Sequence, residues 1–121
     1  MSDLIVLIVA AGFVLMGLVA LARPADILAQ FGVAVDTPNG RNEVRAVYGG
    51  FGIAIGAALA IATLDDASTA DGIAVAVAVS LLGMAAGRLL SALRERPTGL
   101  YPVWIYFAIE IVTGVALLLA R

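Results

Sequence analysis

The sequence predicts an all-α membrane protein, a four-helix transmembrane bundle with a short interfacial helix between the first and second spans. Hydrophobic residues make up 63% of its 121 residues and charged residues only 13%, against roughly 45–50% and about 25% in soluble domains. The hydrophobic residues also form four blocks, separated by the prolines and nearly all of the charges. A lipid solvent imposes this pattern. The length is typical of a single domain, which we assign to residues 1–121.

The first block extends from Leu4 to Ala22, nineteen residues without a charge. At about 1.5 Å per residue it is long enough to cross a hydrocarbon core of roughly 30 Å. A secretory signal peptide is the alternative interpretation, because Ala20-Leu21-Ala22 has the small residues of a cleavage site. The acidic Asp3 in place of a basic residue, and the length of the apolar stretch, favour a transmembrane helix.

A short amphipathic helix is predicted next, from Ala25 to Phe31, with Pro24 in its first turn. Its apolar side chains share one face of the helix. We therefore expect the helix to lie in the membrane interface, where Asp26 and Gln30 can meet water.

Turn residues and charges bound the remaining three spans. We expect Asn42 to cap the second span by accepting from the exposed amides that follow it, and Pro102 to occupy the first turn of the fourth, where a missing amide costs nothing. The loop between the second and third spans is predicted at Asp65, Asp66, Ser68 and Asp71. The spans themselves are predicted over residues 43–64, 73–93 and 101–120.

The arginines predict the orientation of the bundle, because positively charged loops remain in the cytoplasm. The first and third loops carry arginines, whereas the charged residues of the second loop are all acidic. Both termini are therefore expected in the periplasm of a bacterial inner (cytoplasmic) membrane, with Arg121 as the one arginine on that side. The arginines expected on the cytoplasmic side are Arg23, Arg41, Arg45, Arg94 and Arg96.

Small residues at a spacing of four predict close contacts between helices, since backbones approach where side chains are small. Gly52 and Gly56 form such a stripe on the second span, and Gly83 and Gly87 form one on the third. We expect these stripes to face each other or the remaining helices. The alternative is that glycine and alanine are simply frequent in this chain.

Two charged residues lie where a hydrocarbon environment makes charge costly. Glu110 is near the middle of the fourth span, and Arg88 lies six residues, about 9 Å, inside the end of the third. We predict an ion pair between them, with Arg45 and Tyr48 contributing further donors from the second span. Two interpretations remain open: the pair fixes the register of the helices, or it forms a substrate, proton or ligand site.

The residues near this pair also have two interpretations each. Glu43 and Arg45 lie near a helix end, where they either join the cluster or cap the helix and contact lipid head groups. Tyr106 lies four residues before Glu110 and hence on the same helix face, where it either bonds to the carboxylate or lines a small polar cavity. The sequence thus predicts a polar cluster drawn from three helices.

Absent residue types exclude several kinds of function. The sequence contains no cysteine and no histidine, which excludes disulfides, thiol chemistry, zinc sites and histidine acid–base catalysis. Seven arginines against nine acidic residues form no basic run that would bind nucleic acid or anionic lipid. We expect no catalytic residue, no metal and no cofactor.

The start of the second span carries a resemblance to a known family. The chain resembles a bacterial family of small four-helix integral membrane proteins, described only as a domain of unknown function, whose second helix opens with Asn-Glu-x-Arg-Ala-x-Tyr-Gly-Gly. The resemblance implies the four-helix architecture and a polar cluster, and no activity. The residues that carry it are the run Asn42-Glu43-Val44-Arg45-Ala46-Val47-Tyr48-Gly49-Gly50, then Gly87-Arg88-Leu89, Ser91 and Glu110.

Two functional hypotheses follow from these observations. In the first, the chain is a non-enzymatic accessory or interaction subunit, whose glycine stripes and interfacial helix contact a larger membrane complex or a second copy. In the second, it is a small transporter or a lipid- or amphiphile-binding protein. In that case Glu110 would be the titrating group, and Arg88 or Arg45 would hold an anionic head group.

Overall fold

The computed structural model describes residues 2–64 and 67–121 and is built from helices. Four of these helices are long and apolar enough to cross a membrane. We call them span one (Asp3–Ala22), span two (Pro38–Ala62), span three (Ala67–Arg94) and span four (Val103–Ala120). A short helix, Pro24–Ala29, lies between spans one and two. The predicted fold class is confirmed, and the architecture is that of a small multi-pass membrane protein.

Span two begins earlier than predicted. Its N-cap is Thr37, not Asn42, because the Thr37 hydroxyl oxygen accepts a hydrogen bond of 3.0 Å from the Gly40 amide. Pro38 then occupies the first helical position, where its fixed backbone torsion suits a helix and its missing N–H costs nothing. Asn42 therefore lies inside the helix.

Span three also begins earlier than residue 73. It starts at Ala67. Ser68 and Asp71, which were predicted in the loop, therefore lie in the helix. The other two residues of that predicted loop, Asp65 and Asp66, lie outside the described residues.

The four spans pack as two helical hairpins. Span one packs along span two, span three packs along span four, and the two hairpins share fewer contacts with each other. The Ser2 amide donates to the Ala120 carbonyl, which places both chain ends at the same end of the bundle. The hydrophobic core lies towards that end and is formed by Val6, Ala10, Leu59, Val77, Ala78, Leu81, Leu117 and Ala120.

The two glycines of the predicted stripe on span two, Gly52 and Gly56, allow close approach within the first hairpin. A Cβ atom added to Gly56 would lie 2.7 Å from the carbonyl oxygen of Ala10, and one added to Gly52 would lie 3.1 Å from that of Phe13. Both glycines are buried against the backbone of span one. Because lipid provides no hydrophobic force between helices, such backbone contact is what holds spans one and two together.

Gly83 and Gly87 have no such role within the chain. Both are exposed, and a Cβ atom added to either would meet nothing within 4 Å. The prediction that they pack against another helix of the bundle is wrong, because span three turns a different face towards span four. At this contact Gly114 of span four is the small residue, and a Cβ atom added to it would lie 3.0 Å from the side chain of Leu82 on span three.

Span two contains a six-residue π-helical segment, Arg45–Gly50. Its first residue reaches back to span one, where Arg45 Nε donates a hydrogen bond of 3.0 Å to the Leu21 carbonyl oxygen. Leu21 lies in the last turn of span one, whose carbonyls have no partner within the helix. Arg45 therefore caps span one.

Candidate functional site

Arg88 of span three and Glu110 of span four form an ion pair with two parallel hydrogen bonds. Arg88 Nε lies 2.8 Å from Glu110 Oε1, and Arg88 Nη2 lies 2.9 Å from Glu110 Oε2. Such two-point geometry is the strongest form of an arginine–carboxylate contact. The carboxylate side chain is 7% exposed and the guanidinium side chain 26% exposed. The structure thus brings these two sequence-predicted residues together and leaves part of Arg88 open.

Two aromatic rings lie beside the guanidinium. The central carbon of the Arg88 guanidinium is 5.8 Å from the centre of the Phe31 ring and 5.6 Å from that of Tyr106. The two rings are 5.6 Å apart. At these distances the π-faces attract the cation, so they stabilise Arg88 in addition to Glu110. Phe31 follows the short helix and brings that connection against the ion pair.

Gln30 links the short helix to span four. Its side-chain oxygen accepts a hydrogen bond of 2.8 Å from the Tyr106 hydroxyl and another from the Tyr101 hydroxyl. Its side-chain nitrogen donates to the Ile27 carbonyl oxygen over 2.8 Å. Gln30, expected to meet water, is half-buried, and its side chain also holds these three partners. Tyr106 correspondingly donates to Gln30 and not to Glu110.

Span two contributes less to this site than the sequence indicated. Arg45 does not reach Glu110, because the unsatisfied Leu21 carbonyl is its acceptor. Glu43 is exposed, and no ion pair joins it to the cluster among residues 2–64 and 67–121. Tyr48 is half-buried and lies within electrostatic range of Arg88. The cluster is therefore drawn mainly from spans three and four and from the segment that ends the short helix.

An open pocket of about 500 Å³ borders the exposed part of Arg88. Glu110 accepts from Nε and Nη2, so the Nη1 donors of Arg88, which lines this pocket, have no hydrogen-bond partner among the described residues. Arg96 and Ser91 supply further donors, and Glu95 supplies a carboxylate. We call it the arginine pocket, and it is lined by Gly87, Arg88, Ser91, Glu95, Arg96, Pro97 and Val103.

A four-helix bundle with an arginine–glutamate pair inside its spans defines the chain as a small multi-pass membrane protein. Over residues 1–121 it matches the family model of a domain of unknown function (DUF4345), and it belongs to that family. No curated protein and no solved structure matches the chain. A functional conclusion therefore rests on the geometry of the site.

Proposed function

We propose that this protein binds a phospholipid, and that Arg88 and Arg96 hold the phosphate of its head group in the arginine pocket. The observation that supports this proposal is the partial exposure of Arg88. The side chain is fixed by two hydrogen bonds to Glu110, yet 26% of it is exposed beside the pocket. A guanidinium held in this way is oriented before a ligand arrives, which lowers the entropic cost of binding.

A purely structural pair would have a different environment. A buried charge that only sets helix register is best stabilised when its remaining hydrogen-bonding groups are satisfied as well. Here Glu110 satisfies one edge of Arg88, and the Phe31 and Tyr106 rings lie near it. The donors that remain match the several oxygens of a phosphate group, which guanidinium recognises well.

The charges around the pocket favour a zwitterionic head group. Arg88 and Arg96 are balanced by Glu95, which lines the same pocket, and by Glu110 behind Arg88. The cluster is thus neutral overall, and a lipid with net negative charge gains little from it. A head group that carries a phosphate and a primary ammonium, such as phosphatidylethanolamine, satisfies the arginines and Glu95 together.

The arginine distribution supports a cytoplasmic position for this pocket. Arg96 and its neighbours in the third loop are expected on the cytoplasmic side, because positively charged loops are retained there. The hydrogen bond between Ser2 and Ala120 places both chain ends together, at the opposite end of the bundle from Arg96. We therefore propose a bacterial inner membrane with both termini in the periplasm and the pocket in the cytoplasmic leaflet.

Native mass spectrometry of the detergent-purified protein tests this proposal. Phosphatidylethanolamine and phosphatidylcholine carry the same net charge and differ in whether the ammonium has N–H donors. We expect phosphatidylethanolamine to bind at least about tenfold more tightly, since a hydrogen bond to a charged group contributes roughly 1.5–3 kcal/mol. Glu95→Gln should remove this preference, and Arg96→Gln should weaken the binding of both lipids.

Arg94→Gln is the matched control. Arg94 ends span three, close in sequence to Arg96, but it does not line the pocket. Its substitution should leave the binding of both lipids unchanged. Equal affinity for the two lipids in the native protein, unaffected by Glu95→Gln and Arg96→Gln in variants with native helix content, would contradict the proposal.

An accessory or interaction subunit is the second candidate, and the exposed Gly83 favours it. Because a Cβ atom added there meets nothing within 4 Å, a helix of a partner protein or of a second copy has room to approach. Gly83→Ile would then abolish assembly in detergent without changing lipid binding. An unchanged assembly size for this variant would exclude a contact at Gly83.

A further inference from the structure

A second cavity lies between span three and the first hairpin. It has a volume of about 100 Å³. Its one polar side chain, Ser80, donates its hydroxyl to the Ala76 carbonyl oxygen over 2.8 Å, so the lining is effectively apolar. We call this cavity the apolar groove, and it is lined by Phe13, Phe51, Ile55, Ala76, Val77, Ser80, Leu81 and Met84.

The apolar groove and the arginine pocket share one face of span three. Ala76, Ser80, Met84 and Arg88 follow one another at a spacing of four residues, so they form a single stripe along the helix. The groove residues precede the pocket residues by about ten positions, which corresponds to roughly 15 Å along the axis. This separation is about half the thickness of a hydrocarbon core.

We infer that the apolar groove holds an acyl chain of the same lipid whose head group binds in the arginine pocket. This inference rests on the proposed function and names the second half of the ligand. A phospholipid in one leaflet has its head group at the surface and its chain ends near the midplane. The pocket and the groove are stacked in that order and at that distance.

The mouth of the groove is open to the bilayer. Phe51 is 58% exposed and Met84 is 46% exposed, although both line the groove. A chain can therefore enter sideways from the surrounding lipid, without passing through the bundle. Methionine is unbranched and adapts to irregular shapes, so Met84 can adjust to a mobile chain one helical turn from Arg88.

Bromine atoms on acyl chains quench tryptophan fluorescence at contact, which provides a direct test. The only tryptophan, Trp104, is first removed as Trp104→Phe. Phe51→Trp then places a reporter at the groove, and Val112→Trp is the matched control. Val112 is 67% exposed, lies at a similar depth in span four and lines neither cavity. Each variant is placed in phosphatidylcholine nanodiscs with a small fraction of chain-brominated lipid.

We expect brominated phosphatidylethanolamine to quench the Phe51→Trp reporter at least twofold more than the same fraction of brominated phosphatidylcholine. The Val112→Trp control should show equal quenching by both. Adding Glu95→Gln should abolish the difference at position 51. Met84→Trp is a second reporter at the groove, for use if Phe51→Trp disturbs folding, and the same difference is expected there.

The inference and the proposed function fail in different ways. If mass spectrometry shows selective phosphatidylethanolamine binding but both groove reporters are quenched equally by the two lipids, the head-group site stands and the chain site is wrong. If mass spectrometry shows no selectivity and no effect of Glu95→Gln or Arg96→Gln, the proposed function itself is wrong.

Discussion

The hydroxyl of Tyr106 donates a hydrogen bond of 2.8 Å to the side-chain oxygen of Gln30 and so joins the two helical hairpins. Gln30 lies in the connection within the first hairpin, and Tyr106 lies near the start of span four. The hydrophobic core joins the same hairpins at the end of the bundle that carries the termini. The bundle is thus joined by apolar packing at one end and by hydrogen bonds at the other, with the apolar groove between them.

Removing the two hydroxyls that contact Gln30 should destabilise the bundle. Tyr106→Phe alone leaves the contact from Tyr101 in place, and we expect a loss of about 1 kcal/mol. The double change Tyr101→Phe with Tyr106→Phe leaves a half-buried amide oxygen unsatisfied and should cost about 1–3 kcal/mol. The midpoint of thermal unfolding, followed by circular dichroism in detergent, measures both effects.

Tyr48→Phe is the control for these tyrosine variants. Its hydroxyl has no hydrogen-bond partner in the part of the chain that the structure describes, so its unfolding midpoint should equal that of the native protein. A double variant that unfolds at the native midpoint would show that Gln30 does not hold the hairpins together.

Breaking the ion pair on one side should be far more costly than replacing it completely. Arg88→Met leaves Glu110 as a carboxylate without a partner, and Glu110→Leu leaves the guanidinium without one; each should cost about 3–5 kcal/mol. The double variant contains no buried charge and should recover most of the stability. Denaturant unfolding of the three variants in mixed micelles measures this.

The same double variant separates stability from lipid binding. It should fold and yet bind both phosphatidylethanolamine and phosphatidylcholine more weakly, because the phosphate of either lipid no longer meets Arg88. A double variant as unstable as the single ones would argue against the ion pair as the source of their instability. Retention of the native affinity for both lipids would remove Arg88 from the site.

The ion pair and the Gln30 contacts show why sequence predicts some parts of the site and misses others. Glu110 and Arg88 are conspicuous because a charge inside an apolar span needs a partner, and few partners are available. Gln30 lies on an amphipathic helix where a polar residue needs no explanation. The depth of Gln30 in the membrane could have indicated these contacts, since Tyr101 and Tyr106 are expected at the same membrane face as Gln30.

The glycines illustrate a second limit. Spacing by four identifies a stripe of small residues on span two and another on span three, but it does not say which stripe faces a neighbour. Gly56 packs on span one, whereas Gly83 is exposed, because the contact of span three with span four uses another face. The rotation of a helix about its axis depends on all of its neighbours, and the pattern of one helix does not contain that information.

Alanine substitutions at these two glycines should have opposite effects on stability. Gly56→Ala forces a Cβ against the backbone of span one, 2.7 Å from a carbonyl oxygen, and should cost about 1–3 kcal/mol. Gly83→Ala meets open space and should be neutral or stabilise the helix by up to about 1 kcal/mol. The midpoints of thermal unfolding of the two variants measure this difference, and equal losses at both positions would mean that the close contact at Gly56 is not the cause of the loss there.

The proposed orientation can be tested with thiol labelling, because the chain contains no cysteine of its own. Ser2→Cys, near the N-terminus, should react with a membrane-impermeant maleimide in intact bacterial cells. Asp36→Cys, in the exposed loop before span two, should react only after the cells are broken. The reverse labelling pattern would place the arginine pocket in the periplasmic leaflet of the inner membrane.

The division into two hairpins has a consequence for membrane insertion during synthesis. Arg88 and Glu110 both belong to the second hairpin, so each charge meets its counterion as soon as spans three and four enter the bilayer together. The first hairpin contains no ion pair of this kind among the residues that the structure describes, and its helices associate through backbone contact at Gly52 and Gly56. The second hairpin can therefore leave the translocon with the charges of Arg88 and Glu110 already paired, and the late step of assembly is the meeting of the two hairpins.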